Sequence, residues 1–257
     1  MTQEKSLTEK VTEWLSSQGY PLEMKVASRL RNSGFWVQHS VHYADPETLK
    51  SREIDVICTQ DEPIGMAKIH FVVECKSTKK PWVMFTSEYT LDNYSRLLAL
   101  AITSDKARGA LVNYLQDLNT SLSWFSKKGR IGYSLTQAFT DGLDTPYEAV
   151  LGAVKASLSL YNDNENCKSF VSPFFFAFPV VITSSPLFEC YLDRYGNTKV
   201  QEIQEGFLFF DGRIGNFSGT CLRIVTENAI ESFNNDVKDT SEGLMKLLQN
   251  DIENELN

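Results

Sequence analysis

Long hydrophobic runs are missing from this chain. The densest apolar stretch, Phe170 to Thr183, is short and carries Pro173 and Pro179, whereas a membrane span needs about 20 apolar residues. The N-terminal MTQEKSLTEK is polar and lacks the apolar centre of a secretory leader. A cytoplasmic protein with no membrane association is expected. Cysteine is sparse, and the five at 58, 75, 167, 190 and 221 form no CxxC pair. An odd, scattered set reads as reduced thiols, which excludes a disulfide framework and argues against zinc. There is no Walker loop, no GxSxG elbow and no Cys/His pairing for covalent catalysis. Repeats and long linkers are also lacking, so one domain over residues 1–257 is expected. A broad positive charge is absent too. The net charge is −8, and Glu227 to Asn257 carry eight acidic and two basic residues, which leaves −2 for the other 226. This argues against a protein that coats nucleic acid by charge alone and leaves room for a local basic rim.

What the chain does contain is a patterned first third. Leu7, Val11, Trp14 and Leu15 recur at helical spacing. Tyr20-Pro21 opens a second helix that ends near Gly34. With Leu22 set at zero, Val26, Ala27 and Leu30 fall at about 40°, 140° and 80° on that helix. Glu23 falls at about 100°, inside the apolar arc. Three strands follow, 35–43, 53–59 and 68–76, with a turn at Asp45-Pro46-Glu47-Thr48. Pro63 and Gly65 mark a hairpin between the second and third. A fold about the Ile64–Gly65 bond sets Asp55 opposite Glu74, with Cβ atoms about 5 Å apart.

Beyond Lys76 the pattern reads as helical, most clearly over 87–103 and 146–161, with a basic loop SKKGR at 126–130. Strands are expected at 176–183, in a hairpin of 187–192 with 198–203, and more weakly at 207–210 and 221–225. Leu244, Leu247, Leu248 and Ile252 mark an amphipathic terminal helix. Its stripe must bury against the body of the chain or, alternatively, a second copy or other protein partner.

The stretch FVVECKST places Glu74 and Lys76 two apart at the end of an apolar run. Strand residues two apart share a face, and a buried charge is costly unless paired or bound to a metal. Asp55, Glu74 and Lys76 converge on one face, and Glu23 approaches from a helix. Two or three carboxylates around one point suit a hard divalent cation. A neighbouring lysine can hold a water or stabilise charge on a phosphoryl group.

The order helix-Glu, strand, strand-Asp, strand-Glu-x-Lys resembles the PD-(D/E)xK nuclease superfamily, to which restriction endonucleases and Holliday-junction resolvases belong. YPLEMKVA supplies Glu23, REIDVI supplies Asp55, and VVECK supplies Glu74 and Lys76. The resemblance covers Leu22 to Ser77 and extends loosely to the strand at 176–183. It implies an α/β (mixed α+β) restriction-endonuclease-like core over residues 20–185, with a central mixed sheet flanked by helices. Residues 186–257 would be a C-terminal hairpin and helix elaboration. It also implies Mg²⁺, for which Mn²⁺ can substitute, held by Asp55, Glu74 and the main-chain carbonyl of Cys75. Lys76 would assist the attacking water, and the substrate would be nucleic acid, DNA favoured. Ile54 stands where the family name has proline. Nearly a hundred residues separate Lys76 from the next confident strand, far more than one crossover helix.

Other readings stay open beside this one. Glu74 and Lys76 can form a strand-end salt bridge, and Glu23 can serve the helix dipole. A nuclease-like domain without chemistry, binding nucleic acid or protein, is the alternative function. Lys79 and Lys80 could contact phosphate or simply be solvated. His39, His42 and His70 read as structural, and Phe174, Phe175 and Phe176 as core.

Overall fold

The computed structural model describes residues 5–16, 18–140, 145–167 and 172–256. Helix α1 (Leu7–Ser16) and helix α2 (Tyr20–Asn32) lead in. Pro21 sits in the first turn of α2, where a missing N–H costs nothing. Leu22, Val26, Ala27 and Leu30 are its buried residues, as the angular pattern requires. The chain leaves through Gly34 at φ +92°, a conformation glycine adopts without strain.

Three antiparallel strands follow, β1 (Trp36–Ala44), β2 (Ser51–Asp61) and β3 (Ala67–Lys76). The β2–β3 turn closes with Gly65 N–H donating to Glu62 O at 2.8 Å, and Gly65 has φ +81°. The ladder pairs Val56 with Val73 and Asp61 with Lys68. This is the register expected from the Ile64–Gly65 fold, and one step further it sets Asp55 beside Glu74.

The next segment departs from expectation. Residues 77–87 hold strand β4 (Trp82–Ser87) where the sequence pattern predicts helix. The helix expected over 87–103 is replaced by turns, a short helix α3 (Arg96–Ala99) and strand β5 (Ile102–Thr103). The reason is burial: residues 99–104 are buried without interruption, so they form no one-sided stripe. Ser104 then caps α4 (Asp105–Asn113) by accepting from Ala107 N–H. Short helices α5 (Leu115–Ser121) and α6 (Ser123–Ser126) precede strand β6 (Ile131–Gln137), which was also not expected.

Helix α7 (Thr145–Asn166) crosses to β7 (Phe174–Thr183), which runs parallel to β3 along its whole length. The hairpin β8 (Leu187–Leu192) and β9 (Thr198–Ile203) has the expected bounds. Strands β10 (Glu205–Ile214) and β11 (Phe217–Thr226) precede the terminal helix α8 (Ile230–Leu256).

The described strands make one mixed sheet in the order β1-β2-β3-β7-β11-β10-β6-β4-β8-β9, with β5 also paired to β7. Residues 205–226, expected in a C-terminal elaboration, therefore lie inside the sheet, with β11 the direct parallel neighbour of β7. Helices cover both faces. On one, α2, α4–α6 and α8 pack on Phe71, Val73, Phe178 and Val180. On the other, α7 packs on Val72, Val181 and Leu222 through Ala149, Val150, Ala153 and Val154. Leu244, Leu248 and Ile252 of α8 are buried in the first core, with Leu247 packed against it. The stripe is thus covered by the chain's own body, and a partner or second copy is not what buries it. No helix among the described residues is long and apolar enough to cross a membrane.

Candidate active site

The three strands β2, β3 and β7 bring their chemistry to one edge of the sheet. β3 ends at Lys76, which pairs with Thr183 at the end of β7. Ser184 N–H donates to Lys76 O at 3.1 Å and fixes the strand end there. Asp55 Oδ2 accepts from the Cys75 N–H at 2.6 Å, and Lys76 Nζ donates to Glu74 Oε1 at 2.6 Å. Asp55, Glu74 and Lys76 are thus brought together as the sequence pattern requires. Among the described residues, Asp55 Oδ1 and Glu74 Oε2 accept no hydrogen bond.

Glu23 arrives from the first turn of α2 and is half-buried. Burial raises its carboxyl above the ordinary range, and the charges of Asp55 and Glu53 add to this. Burial likewise raises Asp55, against the opposing bond from Cys75 N–H. Glu74 is pushed up to about 7, first by burial and then by the Asp55 charge. For Lys76 burial acts downward, yet Glu74 and Asp55 prevail and hold the ammonium above its ordinary value. Asp55 and Glu74 therefore flank one ammonium, while the charges of Glu23 and the exposed Glu53 act on these carboxylates from further off. Negative charge is in excess here, and protonation of a carboxyl relieves it.

Residues outside the motif complete the site. Helix α7 covers Glu74, and a Cβ at Gly152 would lie 3.5 Å from the Glu74 carboxyl group. Tyr43 donates from its hydroxyl to Gly152 O at 3.4 Å, and burial together with the Glu74 charge pushes that hydroxyl up to about 12. Behind it, Asp45 is fully buried in the turn between β1 and β2. It accepts from Glu47 N and Thr48 N at 3.0 Å each, from Arg52 Nε at 2.7 Å and from Lys155 Nζ of α7 at 3.0 Å. Burial acts to raise the Asp45 carboxyl, but the Lys155 bond and the others hold it far below the usual range. The pair Asp45–Lys155 pins α7 to this turn. The signal for it in the sequence is a lone lysine within AVLGAVKASLSL, where a buried charge demands a partner.

The remaining candidates lie apart. Lys79 and Lys80 are exposed between β3 and β4, and Lys80 Nζ donates to Phe139 O at 2.8 Å. His70 bonds Thr59 Oγ1 at 2.9 Å, and burial lowers its imidazole to about 4. Burial raises the Cys75 thiol well above its ordinary value, so it is no nucleophile. All five cysteines are free.

Among the described residues no three His, Cys, Asp or Glu side chains are gathered as a metal-holding group. The donor set is narrower: one open oxygen each on Asp55 and Glu74, with excess negative charge around them. That suits an ion that takes one or two carboxylates and keeps several waters, as Mg²⁺ does. It does not suit zinc, which wants nitrogen and sulfur ligands. No family model, no curated protein and no solved structure matches this chain.

Proposed function

We propose that this chain is a metal-dependent nuclease that hydrolyses phosphodiester bonds, with DNA as the favoured substrate. The observation that carries the reading is the charge imbalance at the β2–β3 edge. Asp55 and Glu74 stand side by side, both raised by burial, with Lys76 the one cation that offsets them among the described residues. The strand order adds support, since a crossover helix returns the chain as β7, parallel to the strand that bears Glu74 and Lys76. The resemblance to the PD-(D/E)xK superfamily rests on the order helix-Glu, strand, strand-Asp, strand-Glu-x-Lys and extends loosely to β7, with β4 to β6 intervening.

Asp55 and Glu74 would hold Mg²⁺, with the Cys75 carbonyl as the third protein ligand that the resemblance implies. When bound, the ion supplies charge stabilisation at a phosphoryl oxygen and a water of lowered pKa. Lys76, ionised throughout the working pH range, orients the attacking water and donates a hydrogen bond to developing negative charge. Glu23 accepts a hydrogen bond from that water or its neighbour. Helix α7 covers Glu74 from one side and limits the water that reaches it.

A second reading is favoured by the Lys76–Glu74 ion pair and by the lack of a third ligand side chain among the described residues. It is a nuclease-like subunit that binds nucleic acid or protein without cleaving. The deciding experiment incubates the chain with plasmid, linear DNA and RNA, with Mg²⁺ or Mn²⁺ and with EDTA. Cleavage that needs the ion and disappears in Asp55→Ala supports the nuclease. Cleavage that survives EDTA overturns the metal mechanism, and no cleavage of any substrate favours the binding subunit.

A further inference from the structure

A fissure opens in the sheet between β10 and β6. These strands share one ladder position, Leu208 with Gly132. Met84 of β4 is wedged against them, so that a Cβ on Gly132 would fall 2.6 Å from it and one on Gly206 2.3 Å. A Cβ at either position would force Met84 to move, so the two glycines leave room for its side chain here. Toward Glu205 lies a cavity of about 560 Å³, within the range of small-molecule sites.

Five cations, Arg96, Lys127, Lys128, Arg130 and Arg223, line this cavity beside three carboxylates, Glu88, Glu189 and Glu205, in a chain of net charge −8. Two are already matched. Arg130 makes two bonds of 2.8 Å to Glu189, and Lys127 pairs with Glu205 and Asp236. The other three keep donors that no carboxylate takes. Arg96 gives one Nη to the Lys127 carbonyl. Lys128 is exposed and, among the described residues, joins no ion pair. Arg223 is 1% exposed; its Nη2 serves Glu205 and Asp236, its guanidinium lies 5.2 Å and 5.5 Å from the Trp124 and Phe233 ring centroids, and its Nη1 is buried with no hydrogen-bond partner. A buried donor left unpaired is unusual and calls for an explanation. The forked donors of arginine suit phosphate. Ile131, Ile203 and Phe207 give the same cavity an apolar wall.

We propose that this cavity is a second site, which binds a phosphate-bearing ligand of nucleotide size. Its phosphate accepts from Lys128 and Arg96, with the buried Arg223 guanidinium behind them, and its ring lies against the apolar wall. The pairs Lys76 with Thr183, Thr183 with Thr226, and Val225 with Glu205 put the cavity on the same sheet edge as Lys76. Three strand spacings separate them, about 14 Å. The phosphate can therefore belong to a free nucleotide or to a nucleic acid strand lying along that edge. The inference needs no metal at Asp55 and Glu74.

Isothermal titration of the full chain in EDTA at low salt tests this, with ATP, pyrophosphate and a single-stranded DNA dodecamer as probes. Saturable binding of one equivalent of ATP or dodecamer is expected, weakened about tenfold or more in both Lys128→Glu and Arg96→Gln. Binding by ATP alone identifies a free nucleotide, and by the dodecamer alone a strand phosphate. Lys128 is exposed, so its variant folds whatever the role of Arg223. The proposal is overturned if no probe binds saturably at millimolar concentration. It is also overturned if both variants bind as the wild type does, or if Lys79→Glu weakens ATP binding while they do not. EDTA keeps the outcome independent of the nuclease reading, which stands or falls on cleavage.

Discussion

Replacing Lys155 by methionine removes an ammonium from α7 while keeping most of the side-chain length. Lys155 is 8% exposed at its side chain and Asp45 is fully buried, so the change leaves a carboxylate inside the protein without its closest buried cation. Breaking a buried pair in this way costs about 3–5 kcal/mol. Arg52 and two backbone N–H groups remain on Asp45, which places the expected loss at the lower end, about 3 kcal/mol. For a chain of this size the melting temperature should fall by about 6–12 °C. The double variant Asp45→Asn with Lys155→Met carries no stranded charge and should recover about 1–2 kcal/mol of that loss. Urea and thermal melts of the four proteins close the cycle. A Lys155→Met protein within about 0.5 kcal/mol of the wild type, or a double variant weaker than the two single losses added, would refute the reasoning.

Glu74→Gln should raise stability in EDTA at pH 8 and leave it nearly unchanged at pH 4. The folded-state carboxyl is raised to about 7, so its stabilising proton is lost as pH rises through that value, and glutamine removes the penalty; thermal melts across pH read this directly. Lys76→Ala should retain Mn²⁺ affinity, because an ammonium cannot be a ligand, and lose turnover by about a hundredfold or more. Equal turnover in single-turnover assays would leave Lys76 as a strand-end salt bridge. Leu248→Ala should cost about 2–5 kcal/mol in urea unfolding, since Leu248 is buried in the core beneath α8; a change below about 1 kcal/mol would mean that α8 does not dock as described.

The first third of the chain was legible because its signals are local and periodic. The arc of Leu22, Val26, Ala27 and Leu30 marks α2, and Gly65 pins the β2–β3 register. The β2–β3 register suffices to bring Asp55, Glu74 and Lys76 together, and α2 carries Glu23. The middle holds two patterns that differ from a helical stripe. WVMFTS buries Trp82, Met84 and Thr86 alternately, a period of two that distinguishes β4 from a helix. Residues 99–104 carry no such period, because the sheet and helices enclose them on every side. The placement of β11 beside β7 is a long-range pairing that no local pattern encodes. The same holds for Asp45 and Lys155, 110 residues apart.

The claim that Asp55 and Glu74 hold a divalent cation is tested most directly by titrating Mn²⁺ into the wild-type chain, Asp55→Ala and Glu74→Gln. One bound equivalent in the wild type, lost in both variants while their melting temperatures stay at or above the wild-type value, is the predicted result. A wild type that binds no Mn²⁺, or variants that bind it as well as the wild type does, would contradict the account.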